Sequence, residues 1–407
     1  MKLGLRYLLP LTFAPSAFGW GAAGHEIIAT IAQIYLHPTV LPALCDILNY
    51  TSSNPNEPLC HLAPVSTWAD KFKYRMRWSA ALHYVGAKDD YPSETCAFPG
   101  EAGWAGRKDI NVLGGISNVT SLLDAWVQGQ YSSYDMAEEA LKFLVHFVGD
   151  LHMPLHLTGR DRGGNSIKVQ FDGRQTNLHS AWDGLLIAKT LRNVPRKYDY
   201  PLPIPSLEHN LRGAIYDGFI RQIVWEGIMH DWKDQVPEWL ACPSEAITST
   251  SAFLERYPPF ISTLYLYATQ FWDHLPFGNP GRYTSDDSIV CPHHWAKPIH
   301  AMNCDFIWPK AFDEPPYSHL RALEMTADPR RQRPNSPYLE LDTPEYSGYI
   351  AKNRILERLM AQGGIRLAGI LNWLFADLSE QGDFDSRRRS TEVGRRMKVL
   401  LVNPPGL

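Results

Sequence analysis

Long apolar segments are missing from most of this 407-residue sequence. Beyond residue 19, no run is long and apolar enough to span a bilayer. The first nineteen residues, MKLGLRYLLPLTFAPSAFG, combine basic residues, an apolar middle and small residues at Ala17 and Gly19. This pattern predicts a signal peptide over residues 1–19, cut before Trp20. We therefore expect a secreted protein without membrane anchoring.

Two further absences narrow the chemistry. None of the six cysteines forms a C-x-x-C pair, so a cysteine-based zinc site is not expected. Six cysteines allow fifteen pairings, and spacing alone cannot choose among them. The Gly163-Gly164-Asn165 segment lacks the Lys-Ser/Thr of a phosphate-binding Walker loop, which excludes that motif.

The chain also lacks an excess of positive charge. Its net charge is −4, and removal of Lys2 and Arg6 with the signal peptide lowers this to −6. Basic surface supplies most of the affinity for duplex nucleic acid, so a broad electrostatic grip on a duplex is not expected. A small site in which a bound metal supplies the positive charge remains compatible with this composition.

Imidazoles and carboxylates are concentrated between residues 146 and 183. Leu141, Leu144, Val145, Val148 and Leu151 recur at helical spacing and predict a helix with one apolar face. His146 and Asp150 lie one turn apart on that helix, which Pro154 ends or kinks, and the pair His179 and Asp183 repeats the spacing. With His156, these side chains are typical ligands of a catalytic zinc. A single such pair is more often an ordinary surface or capping pair, but two pairs and a third imidazole favour a metal site.

Other candidates have plausible structural explanations when each is taken alone. Trp20, as a new amino terminus, offers an amine and a carbonyl to a metal, and His25 follows in a helix predicted to begin near it. An exposed terminus and an ordinary first-turn histidine are the simpler alternative. Asp70 and Lys73 are helical neighbours that could form only a solvated ion pair. His83 stands in an apolar context typical of a core histidine.

The hydrophobic periodicity predicts an all-α fold, a single mostly helical domain over residues 20–378. Ile167, Val169 and Phe171 alternate beside glycines and predict a small hairpin or extended loop. We expect an insertion over about 184–290, with helical stretches at 211–232 and 251–275, and an irregular connection over about 305–345. Residues 345–378 read as two helices joined near Gly363-Gly364, and residues 379–407 as a basic tail. Four histidines without carboxylates at ligand spacing are interpreted as structural: His230, His274, His293 and His294.

Several stretches together resemble the secreted three-zinc, single-strand-specific nuclease and 3′-nucleotidase family of fungi and plants, whose mostly helical fold is shared with zinc-dependent phospholipases C. They are WGAAGH, WADKFK, LHYV, FLVHFVGD followed by PLH, GGN, NLHSAWD and AQGGIRLAGILNWLF. The resemblance covers about residues 20–183 and 292–375. It implies three zinc ions, held in turn by Asp70, His83, His146 and Asp150; by the Trp20 amine and carbonyl, His25 and Asp150; and by His156, His179 and Asp183.

The resemblance also implies a reaction and its substrates. Single-stranded DNA or RNA would be hydrolysed by a metal-activated hydroxide to 5′-phosphate products, and 3′-nucleotides would be cleaved as well. Asp70 would orient the attacking water or accept its proton, and Lys73 would neutralise the phosphate. Tyr84 matches the family's base-stacking aromatic, and Asn165 its polar base-contacting residue. We expect the protein to be a monomer.

Two positions depart from the family pattern near the expected base site. Gly86 stands where close relatives carry an acidic residue, and Arg162 stands where they carry a small apolar one. Asp89 or Asp90 could replace the missing acid. Arg162 could stack on a base, meet a phosphate or simply be solvated. Base preference is therefore left open.

Covalent features complete the expectations. The family pattern implies a Cys96–Cys304 disulfide, and proximity in sequence suggests Cys45–Cys60 and Cys242–Cys291. The sequons at Asn49 and Asn118 are expected glycosylation sites. Two rival functions remain: a phospholipase C-like lipid phosphodiesterase with the same metals, and a non-catalytic secreted zinc protein. The Tyr84 and Asn165 pair favours nucleotides over lipids, and an intact Asp70–Lys73 pair favours an enzyme.

Overall fold

The computed structural model describes residues 20–242, 286, 290–319 and 338–376. Four predictions concern other parts of the chain and lie outside the described residues: the signal peptide, the helical stretch over 251–275, the structural role of His274 and the tail from residue 379. The domain limits at 20 and 378 stay predictions.

Helices make up most of the described chain, as the sequence predicts. The longest are an N-terminal helix, a central helix and a C-terminal helix, with bounds Ala22–Ile34, Tyr134–Leu151 and Ile355–Phe375. The other α-helices are Val40–Ile47, Ala63–Ser66, Trp68–Phe72, Val112–Val127, Leu178–Ser180, Leu186–Arg192, Pro205–Leu211, Asp217–Gln222, Val236–Trp239, Pro292–Met302 and Ser347–Lys352. Short 3₁₀ and π turns connect several of them.

One small antiparallel hairpin interrupts the helices. Strand β1, Lys168–Phe171, pairs with strand β2, Arg174–Asn177, with Lys168 opposite Asn177. The connecting Asp172 and Gly173 have φ values of 51° and 69°. Two consecutive positive φ values suit the tight turn that follows the right-handed twist of paired strands. The predicted hairpin is confirmed.

The apolar stripe predicted for the central helix is buried in the core. Leu141, Leu144, Val148 and Leu151 are all 0% exposed. Ser133 caps the helix by accepting a hydrogen bond from the Met136 amide at 3.3 Å, which satisfies one of the amides left open at a helix start. The helix packs against the helix Val112–Val127 and the C-terminal helix. Its last turn is thereby fixed deep in the protein.

The predicted break at Gly363-Gly364 is wrong. The C-terminal helix runs continuously through both glycines, and the break lies earlier, at Arg354, whose φ is 52°. A Cβ atom at Gly364 would lie 2.4 Å from Cγ2 of Ile31 in the N-terminal helix. The glycines therefore serve close helix–helix packing and do not end a helix.

A buried polar contact ties the end of the central helix to the C-terminal helix. The Arg366 guanidinium donates to Nε2 of His152 at 2.7 Å and to the Trp239 carbonyl at 2.9 Å. Burial lowers the pKa of Arg366 to about 9. His152 follows Asp150 by two residues, so this contact helps to fix the position of that carboxylate.

Three disulfides join Cys45 to Cys60, Cys96 to Cys304 and Cys242 to Cys291. Residues 184–242 contain several short helices, and the described part of the connection over 305–345 includes the 3₁₀ turn Lys310–Asp313. The predicted helical stretch at 211–232 becomes the helix Asp217–Gln222 followed by a π-helical segment, Ile223–Asp231. None of the described helices has both the length and the apolar character needed to cross a membrane.

Candidate metal centre and substrate cleft

The end of the central helix organises the site. His146 and Asp150 lie one turn apart on its last turns and are both 0% exposed. Pro154 begins a short 3₁₀ turn, Pro154–Leu157, which carries His156 back toward the same place. Its ring nitrogen Nδ1 lies 3.3 Å from Asp150 Oδ1. The helix and the turn after it therefore bring three of the predicted ligands together.

A first group of side chains gathers around His146. Nε2 of His146 lies 3.1 Å from Asp150 Oδ2, 3.1 Å from Nδ1 of His83 and 3.9 Å from Asp70 Oδ1. Nδ1 of His83 in turn lies 3.0 Å from Asp150 Oδ2. Asp70, His83 and His146 each present one ligand atom, and these atoms lie within 4.8 Å of one another.

A second group forms on the other side of Asp150. The His25 ring stacks on the His146 ring with centroids 4.1 Å apart, and its Nε2 lies 3.5 Å from Asp150 Oδ1. Gly149 makes room for this ring, because a Cβ there would lie 2.4 Å from His25 Nδ1. Trp20 is 0% exposed, and the amide of the next residue, Gly21, donates to the Asp183 carbonyl at 3.0 Å. The predicted amino-terminal residue is therefore packed beside the site.

The third set is His156, His179 and Asp183. Nε2 of His179 lies 3.3 Å from Asp183 Oδ2, and the rings of His156 and His179 stack with centroids 5.2 Å apart. The α-helical turn Leu178–Ser180 and the π turn Ala181–Leu185 carry the last two residues. The structure thus brings all nine predicted ligand residues to one region of the protein.

Backbone carbonyls orient three of the imidazoles. Nδ1 of His146, His156 and His179 lies 2.6 Å from the carbonyl oxygens of Ser66, His83 and Gly163, respectively. A carbonyl accepts a hydrogen bond, so Nδ1 carries the proton and donates in each case. This fixes the tautomer and turns Nε2 toward the site, the usual arrangement of metal-binding histidines.

The same burial perturbs the titration of these groups. Burial opposes protonation of His146, but the Asp150 and Asp70 carboxylates outweigh it and raise the pKa of His146 to about 9. Burial also opposes ionisation of Asp150, yet the His146 and His156 imidazoles hold its pKa well below its usual value. Burial, with the nearby Asp70 and Asp150 charges, raises the pKa of Asp183 well above its usual value. Competing carboxylates packed this closely favour binding of a cation.

Unsatisfied buried atoms test whether a metal fits. Among the described residues, both ring nitrogens of His25, Nε2 of His83, Oδ1 of Asp150 and Oδ1 of Asp183 are buried without a hydrogen-bond partner. Buried polar atoms in native proteins are rarely left unpaired without a reason. Imidazole nitrogens and carboxylate oxygens are the ligands of catalytic zinc, so the donor set fits this ion.

A cleft of about 460 Å³ opens over the predicted ligand residues. Its wall contains four of the predicted ligands and Lys73: Asp70, Lys73, His83, His156 and His179. The remaining lining residues are Ala80, Tyr84, Leu155, Thr158, Gly159, Arg162, Gly163 and Asn165. Nζ of Lys73 lies 3.5 Å from Asp70 Oδ1. The Tyr84 side chain is 53% exposed, which leaves its ring accessible for stacking. The volume and lining suit a nucleotide-sized ligand with one apolar face.

Of the two departures from the family pattern, Arg162 lines this cleft and Gly86 lies against Gly159, which also lines it. A Cβ at Gly86 would lie 2.6 Å from the Gly159 amide nitrogen, so the two backbones are in close contact. Arg162 is exposed in the cleft wall, and its carbonyl accepts a hydrogen bond from Asn165 Nδ2 at 2.8 Å. The suggestion that Asp90 replaces an acid at position 86 finds no support, because Asp90 is buried and accepts a hydrogen bond from Thr158 at 2.6 Å. The Asp89 carboxylate accepts from the Ala102 amide, away from the cleft lining.

Sequence reasoning missed a buried arginine that holds one wall of the cleft. The Arg160 guanidinium donates to the Ser93 hydroxyl at 2.8 Å and to Asp313 Oδ1 at 2.6 Å. Its central carbon lies 3.9 Å from the centroid of the Tyr91 ring. All three partners are distant in sequence, so no local pattern could have revealed the contact. Arg160 fixes the turn that leads to Arg162 and Asn165.

Three of the histidines interpreted as structural are among the described residues, and none of these three lines the cleft. His293 stacks on Phe98 with centroids 5.6 Å apart, His230 contacts the Trp225 carbonyl, and His294 is exposed. Another buried histidine, His300, lies 3.0 Å from Asp90 and was not singled out from the sequence. It belongs to the network that supports Thr158.

Comparisons with known proteins agree with this geometry. The sequence profile of the S1/P1 Nuclease family matches residues 20–258. Endonuclease 2 of Arabidopsis thaliana is 33% identical over 235 residues, which are 56% of this chain and 71% of that protein. Nuclease P1 of Penicillium citrinum is 36% identical over 175 residues, 42% of this chain and 60% of that protein. Endonuclease 1 of Arabidopsis thaliana is 25% identical over 376 residues, 91% of this chain and 92% of that protein.

The profile match covers more than half of the chain and includes every residue of the candidate metal centre and of the cleft wall. The mostly helical fold, with its small hairpin, is the fold that the resemblance implied. The chain therefore belongs to the S1/P1 nuclease family of phosphodiester-cleaving hydrolases.

Proposed function

We propose that this protein is a secreted, zinc-dependent endonuclease that hydrolyses single-stranded DNA and RNA to 5′-phosphate products and also removes the phosphate of 3′-nucleotides. One observation carries the proposal: nine potential ligand residues converge around Asp150 beneath a cleft of about 460 Å³. Family membership and the names of the relatives support nucleic acid as the substrate.

Three zinc ions would be held by the three sets of side chains described above. Asp70, His83, His146 and Asp150 would form the first set; Trp20, His25 and Asp150 the second; and His156, His179 and Asp183 the third. When bound, zinc supplies an activated water at neutral pH and neutralises charge on the phosphate. The unpaired buried atoms of His25, His83, Asp150 and Asp183 support this assignment.

The cleft residues would divide the remaining work. The Asp70 carboxylate would orient the attacking water and accept its proton, since it stands both in the metal set and in the cleft wall. The Lys73 ammonium, 3.5 Å from Asp70, would donate to a phosphate oxygen as negative charge develops there. Tyr84 would stack on an unpaired base, and Asn165 would contact the edge of that base. A base held in a duplex could not reach this ring, which explains the preference for single strands.

The test combines metal analysis with product analysis. Purified protein should contain zinc and should cut a single-stranded oligonucleotide into fragments with 5′-phosphates, while the matched duplex is cut far more slowly. Chelation should abolish both this activity and the release of phosphate from 3′-AMP. Full activity after zinc removal would contradict the proposal.

Asp70→Asn provides a variant that tests the chemistry itself. The change keeps the size of the side chain but removes the proton acceptor, so kcat should fall by about 10²–10⁴-fold. Zinc content is measured alongside kcat, because Asp70 also belongs to the first proposed zinc set. A near-normal kcat would remove Asp70 from this role.

The rival functions are outcomes of the same experiments. A phospholipase C-like enzyme would hydrolyse phosphatidylcholine and leave single-stranded DNA intact. A non-catalytic zinc protein would contain stoichiometric zinc and leave DNA, RNA and 3′-AMP unchanged. The exposed ring of Tyr84 and the side chain of Asn165 in the cleft wall favour the nucleotide substrate.

We also propose export with removal of residues 1–19, glycosylation at Asn49 and Asn118, and a monomeric state. The three disulfides suit an oxidising compartment. The backbones at Asn49 and Asn118 lie on the surface, and both residues are exposed. Amino-terminal sequencing of the secreted protein, glycosidase treatment and light scattering would test the three statements.

A further inference from the structure

One segment beside the metal centre differs in charge from the rest of the chain. Residues 71–78 read KFKYRMRW and hold four basic residues among eight, in a protein whose net charge is −4. The proposed mechanism uses only Lys73 from this segment. The other three basic residues have no role in the chemistry, and neither do the exposed aromatic residues Tyr74 and Trp78.

The structure places this segment directly against the cleft. Asp70, Lys73 and Ala80 lie in the cleft wall, so the chain between Lys73 and Ala80 leaves that wall and returns to it. Four residues between these two points are exposed: Tyr74, Arg75, Arg77 and Trp78. We call these four residues the basic–aromatic strip.

The aromatic rings of the strip are open to ligands but held in place. Tyr74 is 63% exposed and Trp78 is 61% exposed. The Trp78 ring rests edge-on against Phe143 of the central helix, with centroids 5.6 Å apart. This contact holds the ring at the surface, where a base could stack on it with little loss of side-chain entropy.

The arginines of the strip are not used for internal ion pairs. Within the described part of the chain, neither guanidinium forms an ion pair, and Arg75 only lies over the rings of Tyr74 and Phe72, 5.4 Å and 5.8 Å from their centroids. Two unpaired guanidinium groups next to two exposed rings can bind phosphates while bases stack beside them.

We propose that the basic–aromatic strip binds the single-stranded polynucleotide beyond the cleft, contacting the phosphates and bases that flank the bond being cut. This inference rests on the proposed nuclease function and extends it: the strip acts on long substrates and is not needed for a mononucleotide. It accounts for a local excess of positive charge in an acidic protein. The ligand class is single-stranded nucleic acid, because a duplex would not present free base faces to Trp78 and Tyr74.

The experiment compares two substrates that differ in length. The double variant Arg75→Gln/Arg77→Gln should raise KM for a single-stranded 20-mer about tenfold at low salt and leave kcat unchanged. Each phosphate contact to a single strand contributes roughly −0.7 to the slope of log affinity against log salt concentration. Loss of two contacts should therefore make the slope of log kcat/KM against log NaCl concentration less steep by about 1.4. Hydrolysis of 3′-AMP, which fits within the cleft, should be unchanged.

Matched variants separate local from general charge effects. Arg196→Gln/Lys233→Gln removes the same charge from exposed positions outside the cleft lining and should leave KM for the 20-mer at the parental value. Trp78→Ala should raise KM for the 20-mer several-fold, and Trp78→Phe should restore it, because stacking needs a ring. A Trp78→Phe variant as weak as Trp78→Ala would overturn the stacking role.

A binding measurement keeps the inference independent of turnover. Fluorescence anisotropy with a labelled, phosphorothioate-linked single strand should show weaker binding by Arg75→Gln/Arg77→Gln than by the control double variant. Equal affinities for the two double variants would overturn the proposal that the basic–aromatic strip binds single strands. Failure of the parent enzyme to cut either substrate would instead contradict the proposed function. The anisotropy comparison would still decide whether the strip binds single strands.

Discussion

A single missing methyl group controls the position of His25. Gly149 lies directly under the imidazole, and a Cβ there would approach Nδ1 to 2.4 Å and Cε1 to 2.7 Å. The ring is stacked on His146 and has no other place to go within a closely packed core. The identity of one residue on the central helix therefore decides whether His25 can reach Asp150.

We predict that Gly149→Ala displaces the His25 ring and lowers zinc content. An alanine usually stabilises a helix by about 0.5–1 kcal/mol over glycine, so a loss here would reflect the clash. Zinc per protein, measured by elemental analysis, should fall below the parental value, and kcat should fall at least tenfold. Parental zinc content in this variant would show that the site can relax around the added methyl group.

Gly348→Ala is the matched control for this substitution. Gly348 lies in the helix Ser347–Lys352, and the nearest atom to a Cβ there is the Thr343 carbonyl oxygen at 3.5 Å, an ordinary contact distance. The control should retain zinc and activity. A comparable zinc loss in both variants would assign the effect to helix glycines in general.

At the scale of elements, the N-terminal and C-terminal helices pack closely against each other in the core. Gly364 allows a close approach of Ile31. A Cβ atom added to Gly364 would lie 2.4 Å from Ile31 Cγ2 and 2.6 Å from Ile31 Cβ. This approach also fixes the N-terminal helix, which carries His25. Helix packing and metal-site geometry are therefore coupled through two glycine contacts.

Gly364→Ala should destabilise the fold. Forcing extra volume into a packed core typically costs 1–3 kcal/mol, and we expect the free energy of unfolding to fall by about that amount. Urea denaturation followed by circular dichroism measures the change. Gly348→Ala again provides the comparison, and an unchanged midpoint for Gly364→Ala would show that the two helices can separate without cost.

The elements differ in how well the sequence alone predicts them. The central helix follows from its periodic apolar face, and the hairpin from alternation around Asp172-Gly173, because both signals are local. The continuity of the C-terminal helix could not be predicted from Gly363-Gly364, since the residues that crowd those glycines are distant in sequence: Ile28, Ile31 and His152. Helical propensity is a weak guide where tertiary packing decides.

The same division applies to the site. Spacing suggested the pairs His146–Asp150 and His179–Asp183, and their pairing distances in the structure are 3.1 Å and 3.3 Å. Trp20, Asp70 and His83 became credible candidates only through resemblance, because their neighbours in sequence carry no ligand pattern. The orienting carbonyls and the Arg160 contacts were invisible for a physical reason: backbone acceptors and long-range partners leave no trace in local composition.

For the whole molecule, buried charge sets a pH dependence of stability. Glu357, in the first turn of the C-terminal helix, is only 6% exposed. Burial raises the pKa of this carboxyl above its usual value; its backbone amide and Arg354 oppose the effect, and Glu226 adds to it. The folded protein therefore holds this proton at pH values where the unfolded chain has lost it. The contribution of Glu357 is favourable at low pH and is lost as pH rises above about 4.5.

Glu357→Gln should consequently stabilise the protein at neutral pH and have little effect near pH 4. The difference in unfolding free energy between variant and parent should grow with pH above 4.5, by at most about 1.4 kcal/mol per pH unit, until the folded carboxyl ionises. Urea titrations from pH 4 to pH 8 measure it. Glu139→Gln, exposed on the central helix, gives the baseline for removing a surface carboxylate. A pH-independent difference for Glu357→Gln would contradict the prediction.

The close contact between Gly86 and Gly159 restricts how this enzyme could be redesigned. An acidic side chain restored at position 86 would collide with the Gly159 backbone and push on the turn that follows it. Engineers seeking altered nucleobase selectivity would gain nothing from that substitution without first rebuilding the turn. Diversity libraries should instead randomise Arg162 and Asn165, which both line the cleft.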